Sequence, residues 1–384
     1  MMFPKEAMNY IFIIAIPLLL ELLFFWNNDE LYLGIKALEK TISLLLFPIF
    51  IIGNQKYIKF YPLVKAYSLA TTSILLLFLI RYYFVYHEFF LSFYYGMNMW
   101  QMGYHFASTI GIHAPALNMH LAFVSICNLY FSISNFKTNK HFLYKILYLL
   151  FFVLSFILLL IINTRIALLV SFLGYFLVIT FHFFKNKNIL QWIKTSTFFI
   201  FIISLILIIF IKNNHFMEQK YNRMIFDKFE MIGRLDQIER PEVEIYSSLV
   251  TRLTIWKSTI DLAKDHLLFG VGSSDSKKEL FKFYKKTNQK FLSKYQFPVH
   301  NQYLDYLLKF GILGIIGAFV YIGFIGYIGF KSKNVIAIAF FLLFFISNLT
   351  DDFLIRFDGI VFSGFWICIF TSFYIQSKQT KLAS

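Results

Sequence analysis

The chain has 384 residues, 58% of them hydrophobic and 15% charged, with 51 phenylalanines and a net charge of +15. That is far too apolar for a soluble domain of this length, and with only Cys127 and Cys368, both inside apolar runs, neither a disulfide framework nor a zinc cluster is available. The runs are rich in Leu, Ile and Phe all round a helix, without the alternation of a membrane barrel, so the expected fold class is an all-α polytopic membrane protein.

In chain order, about ten spans are predicted from apolar runs between charged breaks. They lie near 9 to 26, 32 to 52, 62 to 84, 112 to 134, 143 to 163, 164 to 184, 190 to 211, 302 to 329, 335 to 349 and 356 to 376. No small-residue cleavage site follows the opening MMFPKEAMNY and its apolar run, so that run is expected as a retained first span. In the second, Lys36, Glu39 and Lys40 occupy the first half, where an interfacial turn is the alternative. Asn163 and Thr164 are the polar break between the fifth and sixth, and predict a tight hairpin there. The organisation is then an N-terminal bundle of about seven spans over 1–211, a large loop over 212–300, and a C-terminal bundle of about three spans with a tail over 301–384.

Lysine and arginine gather at 53 to 61, 135 to 142, 185 to 188, 331 to 334 and in the tail QSKQTKLAS. Ten spans put all of these on one side, which the positive-inside bias makes cytoplasmic. The charge outside the spans suits anionic headgroups or an anionic substrate. The loop 212–300 carries both signs and falls outside, as long loops escape that bias. In it, Leu253, Trp256, Ile260, Ala263 and Leu267 recur at spacings of three and four and predict an amphipathic helix that Gly270 ends. A second, basic helix is predicted over KKELFKFYKKTNQKFLSKY, a composition suited to a headgroup surface.

With this topology Arg165, Arg252 and His300 all face outward. Arginine grips a phosphate with two parallel donors, and histidine accepts a proton at neutral pH. Each has a plainer reading: Arg165 snorkelling to headgroups, Arg252 as a solvated or lipid-facing charge, His300 with Asn301 capping the eighth helix or marking the interface. Asp29 and Glu30 fit a solvated turn better than a metal site. Asp351 and Asp352 fit either a helix cap or partners for a site arginine. His113 and His120 share a helix face and are expected as hydrogen-bonded residues of a bundle interior, since two histidines make no metal site unaided.

Three stretches in order, INTRIALL, TRLTIWKSTIDLAKDHLLFGVGSS and PVHNQYLDYLLKFGILGIIG, resemble the bacterial O-antigen ligase and polymerase family. The shared features are an arginine after a small polar residue at a span end, an arginine and tryptophan four apart leading to a Gly-x-Gly turn, and a His-Asn pair opening a glycine-containing span. The sequence departs at His266-Leu267-Leu268, where the family usually has a proline before Phe269-Gly270. It is weaker over SNLTDDFLIRFDGIVFSGFW, where the family often has an acidic residue before its last span.

The resemblance implies a GT-C-like glycosyltransferase of the bacterial inner membrane, with its site facing the periplasm and no metal or other cofactor. It implies a glycan donor on undecaprenyl diphosphate, a lipid A-core or lipid-linked glycan acceptor, surrounding membrane lipids and no nucleic acid. Arg165 and Arg252 would bind the diphosphate and His300 would orient or deprotonate the acceptor, with Asn301 and Trp256 as further substrate contacts. Ligation of a finished glycan leads; polymerisation of repeat units shares the donor chemistry. A non-catalytic lipid flippase or transporter comes third, since the sequence holds no internal repeat and its polar residues gather at one face.

Overall fold

A computed structural model describes residues 7–94, 99–134, 142–185, 189–212, 228–245 and 249–383. The predicted basic loops at 135 to 142 and 185 to 188 lie almost wholly outside these residues, as does the start of the large loop. Among the described residues there is no strand. The α-helices in chain order are α1 (Ala7–Ile14), α2 (Ile16–Leu23), α3 (Leu31–Thr41), α4 (Ser43–Phe47), α5 (Phe60–Val85), α6 (His87–Tyr94), α7 (Met99–Ile110), α8 (Ala114–Ser134) and α9 (Phe142–Ile162). They continue with α10 (Arg165–Lys185), α11 (Ile189–Lys212), α12 (Pro241–Glu244), α13 (Leu249–Lys264), α14 (Ser276–Lys286), α15 (Lys290–Tyr295), α16 (Gln302–Ser332), α17 (Val335–Asn348) and α18 (Phe357–Ala383).

Among the described residues six helices are long and apolar enough to cross a membrane: α5, α8, α9 (over Leu143–Ile162), α10 (over Arg165–Phe183), α16 and α18 (over Phe357–Thr380). The protein is therefore a multi-pass α-helical membrane protein. The predicted span at 190 to 211 is the 24-residue helix α11, and three other predicted spans are helical but differ in kind. The first is split into α1 and α2 at Ala15, before Pro17, and the second runs through α3, α4 and a π turn over Pro48–Ile52, where proline disrupts the regular bonding. α17, at 14 residues, is apolar but shorter.

The chain forms two compact units. One comprises Tyr57–Asn222 and Ile325–Ser347. Its central helix, α8, is buried along most of its length. Several polar groups inside this unit pair with neutral partners: Asn118 donates to Thr164 (2.7 Å), Ser125 pairs with Tyr175 (2.6 Å), and Tyr67 pairs with Nδ1 of His120 (2.9 Å). His120 thus takes the interior hydrogen-bonded place expected of it, and His113 lies edge-on to Tyr104. The predicted hairpin is present. α9 stops at Ile162, Asn163 takes a left-handed conformation (φ 55°), and α10 starts at Arg165.

The other unit comprises Met1–Lys56, Arg223–Phe324 and Asn348–Ser384. In its apolar part Tyr10 meets Tyr374, Phe24 meets Phe310, and Tyr321 bonds Ser363 (2.9 Å). Its polar segment folds around Leu235, Ile255, Leu262, Leu280, Tyr284 and Phe291. Two sequence expectations change here. In α13 the buried face is Val250, Thr254, Ile255, Ser258, Thr259, Leu262 and Ala263; of the predicted stripe Ala263 is thus buried, whereas Ile260 and Leu267 are exposed. The reason is that Thr254, Ser258 and Thr259 return their hydroxyls to the carbonyls of Val250, Thr254 and Ile255, which lets a polar face bury at little cost. The basic segment is two helices, α14 and α15, broken at Asn288 (φ 55°). Leu280 and Tyr284 point into the protein core, and the lysines stay outside.

Candidate active site

The unit around α16 holds Arg252, Trp256, His300, Asn301, Asp351 and Asp352; Arg165 belongs to the unit around α8 and opens α10 half-exposed. His300 is held by both of its neighbours. Nε1 of Trp256, on α13, donates to the Val299 carbonyl (3.1 Å). Asn301 is the N-cap of α16: its Oδ1 accepts from the backbone N–H of Tyr303 (3.0 Å) and Leu304 (3.1 Å). Between these fixed points His300 sits at φ 51°, a left-handed conformation uncommon outside glycine. Arg252 lies one helical turn before Trp256, half-exposed, with no hydrogen bond or ion pair to its guanidinium among the described residues.

The loop between α17 and α18 is stitched onto this helix start. Nδ2 of Asn301 donates to the Leu349 carbonyl (3.0 Å), and Oε1 of Gln302 accepts from the Leu354 N–H (2.7 Å). The loop therefore presents Asp351 to His300, with Oδ1 3.7 Å from Nδ1. Asp351 pairs with the histidine, where the sequence left a helix cap or an arginine partner open. Asp352 caps nothing through its side chain, and its N–H donates to Oδ1 of Asp351 (2.9 Å).

These carboxyls are both buried and they titrate as a pair. Burial alone would raise Asp351, but the facing imidazole of His300 and the hydrogen bonds from Asp352 hold it below the ordinary carboxylate range. Burial, and then the charge of Asp351, push Asp352 up to about 7. Near neutral pH the pair thus offers one firm carboxylate and one exchangeable proton beside the His300 ring. His300, Asp351 and Asp352 also bring three ligand atoms within 4.8 Å of one another, so their chemistry and spacing fit a divalent cation as well as a proton.

Asn301 is 6% exposed and its side-chain oxygen and nitrogen are both engaged, so it positions its neighbours. Trp256 does the same through Val299. Asp29 and Glu30 are exposed, with Glu30 3.8 Å from Lys278, the solvated turn expected of them. The sequence reading passed over a second set of charges. Lys309, one turn below Asp305 on α16, contacts its carboxylate at 2.7 Å, and Glu21 on α2 is buried and accepts from Ser273 (2.9 Å). The signal for them was there: a charge within an apolar segment is costly and is kept only with a partner.

No curated protein matches the chain significantly. Residues 150–319, which include Arg165, Arg252, Trp256, His300 and Asn301, match the family model described as O-antigen ligase. Over this stretch, 170 of its 384 residues, the chain is similar to the O-antigen ligase family.

Proposed function

We propose that the protein is an O-antigen ligase, moving a glycan from undecaprenyl diphosphate to a lipid A-core sugar at the periplasmic face of the inner membrane. The observation that carries the chemistry is the pairing of His300 with buried Asp351, beside the helix bearing Arg252. An acceptor hydroxyl attacks the anomeric carbon of the donor sugar, and its oxygen forms the new glycosidic bond. The bond from that carbon to the carrier diphosphate breaks with its electron pair on the diphosphate oxygen. Nε2 of His300 takes the hydroxyl proton, and Asp351, at Nδ1, stabilises the resulting imidazolium. Arg252 binds the diphosphate and offsets the charge that builds on it, fixed electrostatic help of about 3 kcal/mol per donor; for Arg165 the same role rests on the family resemblance alone.

Transfer of labelled glycan in membranes tests this. His300→Ala lowers the rate by about a hundredfold or more while membrane insertion is unchanged. Arg252→Lys, which keeps the charge but not the two-pronged grip, also falls sharply. Chelator leaves the wild-type rate unaltered. Normal rates in all of the variants remove the site; loss to chelator with recovery on adding manganese gives His300, Asp351 and Asp352 to a metal instead. Introducing the gene into a strain lacking ligase and one lacking polymerase identifies the acceptor, with only the first restored.

A further inference from the structure

After α13 ends, the chain runs His266-Leu267-Leu268-Phe269 before Gly270, and this turn is bonded to the middle of α16. The Ile312 N–H donates to the Leu267 carbonyl (2.8 Å), the Val271 N–H to that of Leu308 (2.8 Å) and the Gly272 N–H to that of Lys309 (3.1 Å). α16 opens to receive it at Gly311 (φ 64°, ψ −150°). A Cβ at Gly311 would strike the Leu267 carbonyl, and one at Gly270 the Lys309 carbonyl, so both positions need glycine.

That junction sets the depth of the turn. From Ile312 to Phe330 α16 carries no charge, a length of about 28 Å at 1.5 Å per residue, the thickness of a bilayer's hydrocarbon. Gly311 therefore marks one edge of it. At the same level Leu268 is 68% exposed, Phe269 55% and Trp26 67%, beside the outward-facing Ile312 and Leu313. Trp26 lies edge-on to Phe269, with ring centres 5.8 Å apart. The carbonyls of His266, Leu267, Phe269 and Gly270 are meanwhile satisfied from within: Gly270 donates to the His266 carbonyl, Ile312 to that of Leu267, and Nδ2 of Asn27 to those of Phe269 (3.1 Å) and Gly270 (3.3 Å). A loop in water has no need to hide its carbonyls while showing its leucines; one that meets hydrocarbon must do so.

We propose that Leu267, Leu268 and Phe269, together with Trp26, form a lipid-embedded anchor that inserts among the acyl chains of the leaflet on the His300 side. The anchor fixes the C-terminal end of α13, whose other end carries Arg252, at the membrane boundary. It depends on the membrane nature of the protein and not on the reaction proposed above.

The test uses full-length protein in phospholipid vesicles without donor, carrying a nitroxide on Leu268→Cys or, in a second protein, on Phe269→Cys. The native Cys127 and Cys368 are buried. Collisions with oxygen, which concentrates in hydrocarbon, are compared with those of a water-soluble nickel chelate. The ratio of oxygen to nickel collisions at 268 and 269 is several-fold higher than at Lys286→Cys on exposed α14 and matches that at Ile316→Cys. Nickel collisions as frequent as at 286 overturn the proposal by placing the turn in water. Shielding from both reagents also overturns it, by showing that protein covers the patch.

Discussion

The two units bury polar groups in opposite ways. The unit around α8 buries amides, hydroxyls and an imidazole, several of them matched to neutral partners, as Asn118 is to Thr164 and Tyr175 to Ser125. The unit around α16 buries charge: Glu21, Asp305 and Lys309 together, and Asp351 with Asp352 against His300. Neutral pairs cost little to bury and specify packing, whereas buried ions exact several kcal/mol each unless matched. The contrast marks the first as scaffold and the second as the place where charge is needed.

The largest effect should follow from breaking the charged set. Lys309→Ala strands the Asp305 and Glu21 carboxylates and is expected to lose about 3–5 kcal/mol, read as a drop in thermal unfolding temperature in detergent. The double replacement Lys309→Met with Asp305→Leu should recover most of that loss. If the single variant is as stable as the parent, these charges are solvated and the contrast fails.

The next effect concerns Asp352. Because its carboxyl is raised to about 7, the native state holds a proton that the unfolded chain has released above its ordinary value near 4. Stability should therefore fall as pH rises from about 4 to 7 and level off beyond. Asp351 is shifted the other way, so its contribution is lost only in more acid solution. Asp352→Asn removes the slope and should stabilise the protein by a few kcal/mol above neutrality; denaturant titrations across that range measure both.

The smallest effect is in the scaffold. Asn128 donates over long distances to Thr72 (3.5 Å), the Phe151 carbonyl (3.4 Å) and Ser155 (3.5 Å). Asn128→Ala should cost only about 1 kcal/mol and leave glycan transfer unchanged. A loss as large as that of Lys309→Ala would erase the distinction between the units.

What the sequence made legible follows the same divide. Long uncharged runs announce helices, and Asn163-Thr164 announces a hairpin, because hydropathy and turn chemistry are local. The buried face of α13 was misread because its hydroxyls satisfy themselves within the helix, which no apolar period records. The break at Asn288 was likewise hidden in a basic stretch with helical composition. The site was legible as residue types, His300 and Arg252, but not as geometry. Nothing local pairs His300 with Asp351; that contact exists because Asn301 and Gln302 hold a distant loop.

The opening of α16 at Gly311 also has a mechanical consequence. Residues 302–310 are a short rod held by the Asn301 cap, the loop contacts of Gln302 and the backbone bonds at 308 and 309. The lipid-crossing remainder starts at Ile312, itself bonded to the Leu267 carbonyl, so the break at Gly311 is clamped on both sides. Hydrophobic segments tilt to fit bilayers of different thickness, and a tilt of this one has to carry the turn at 267–269 along with it.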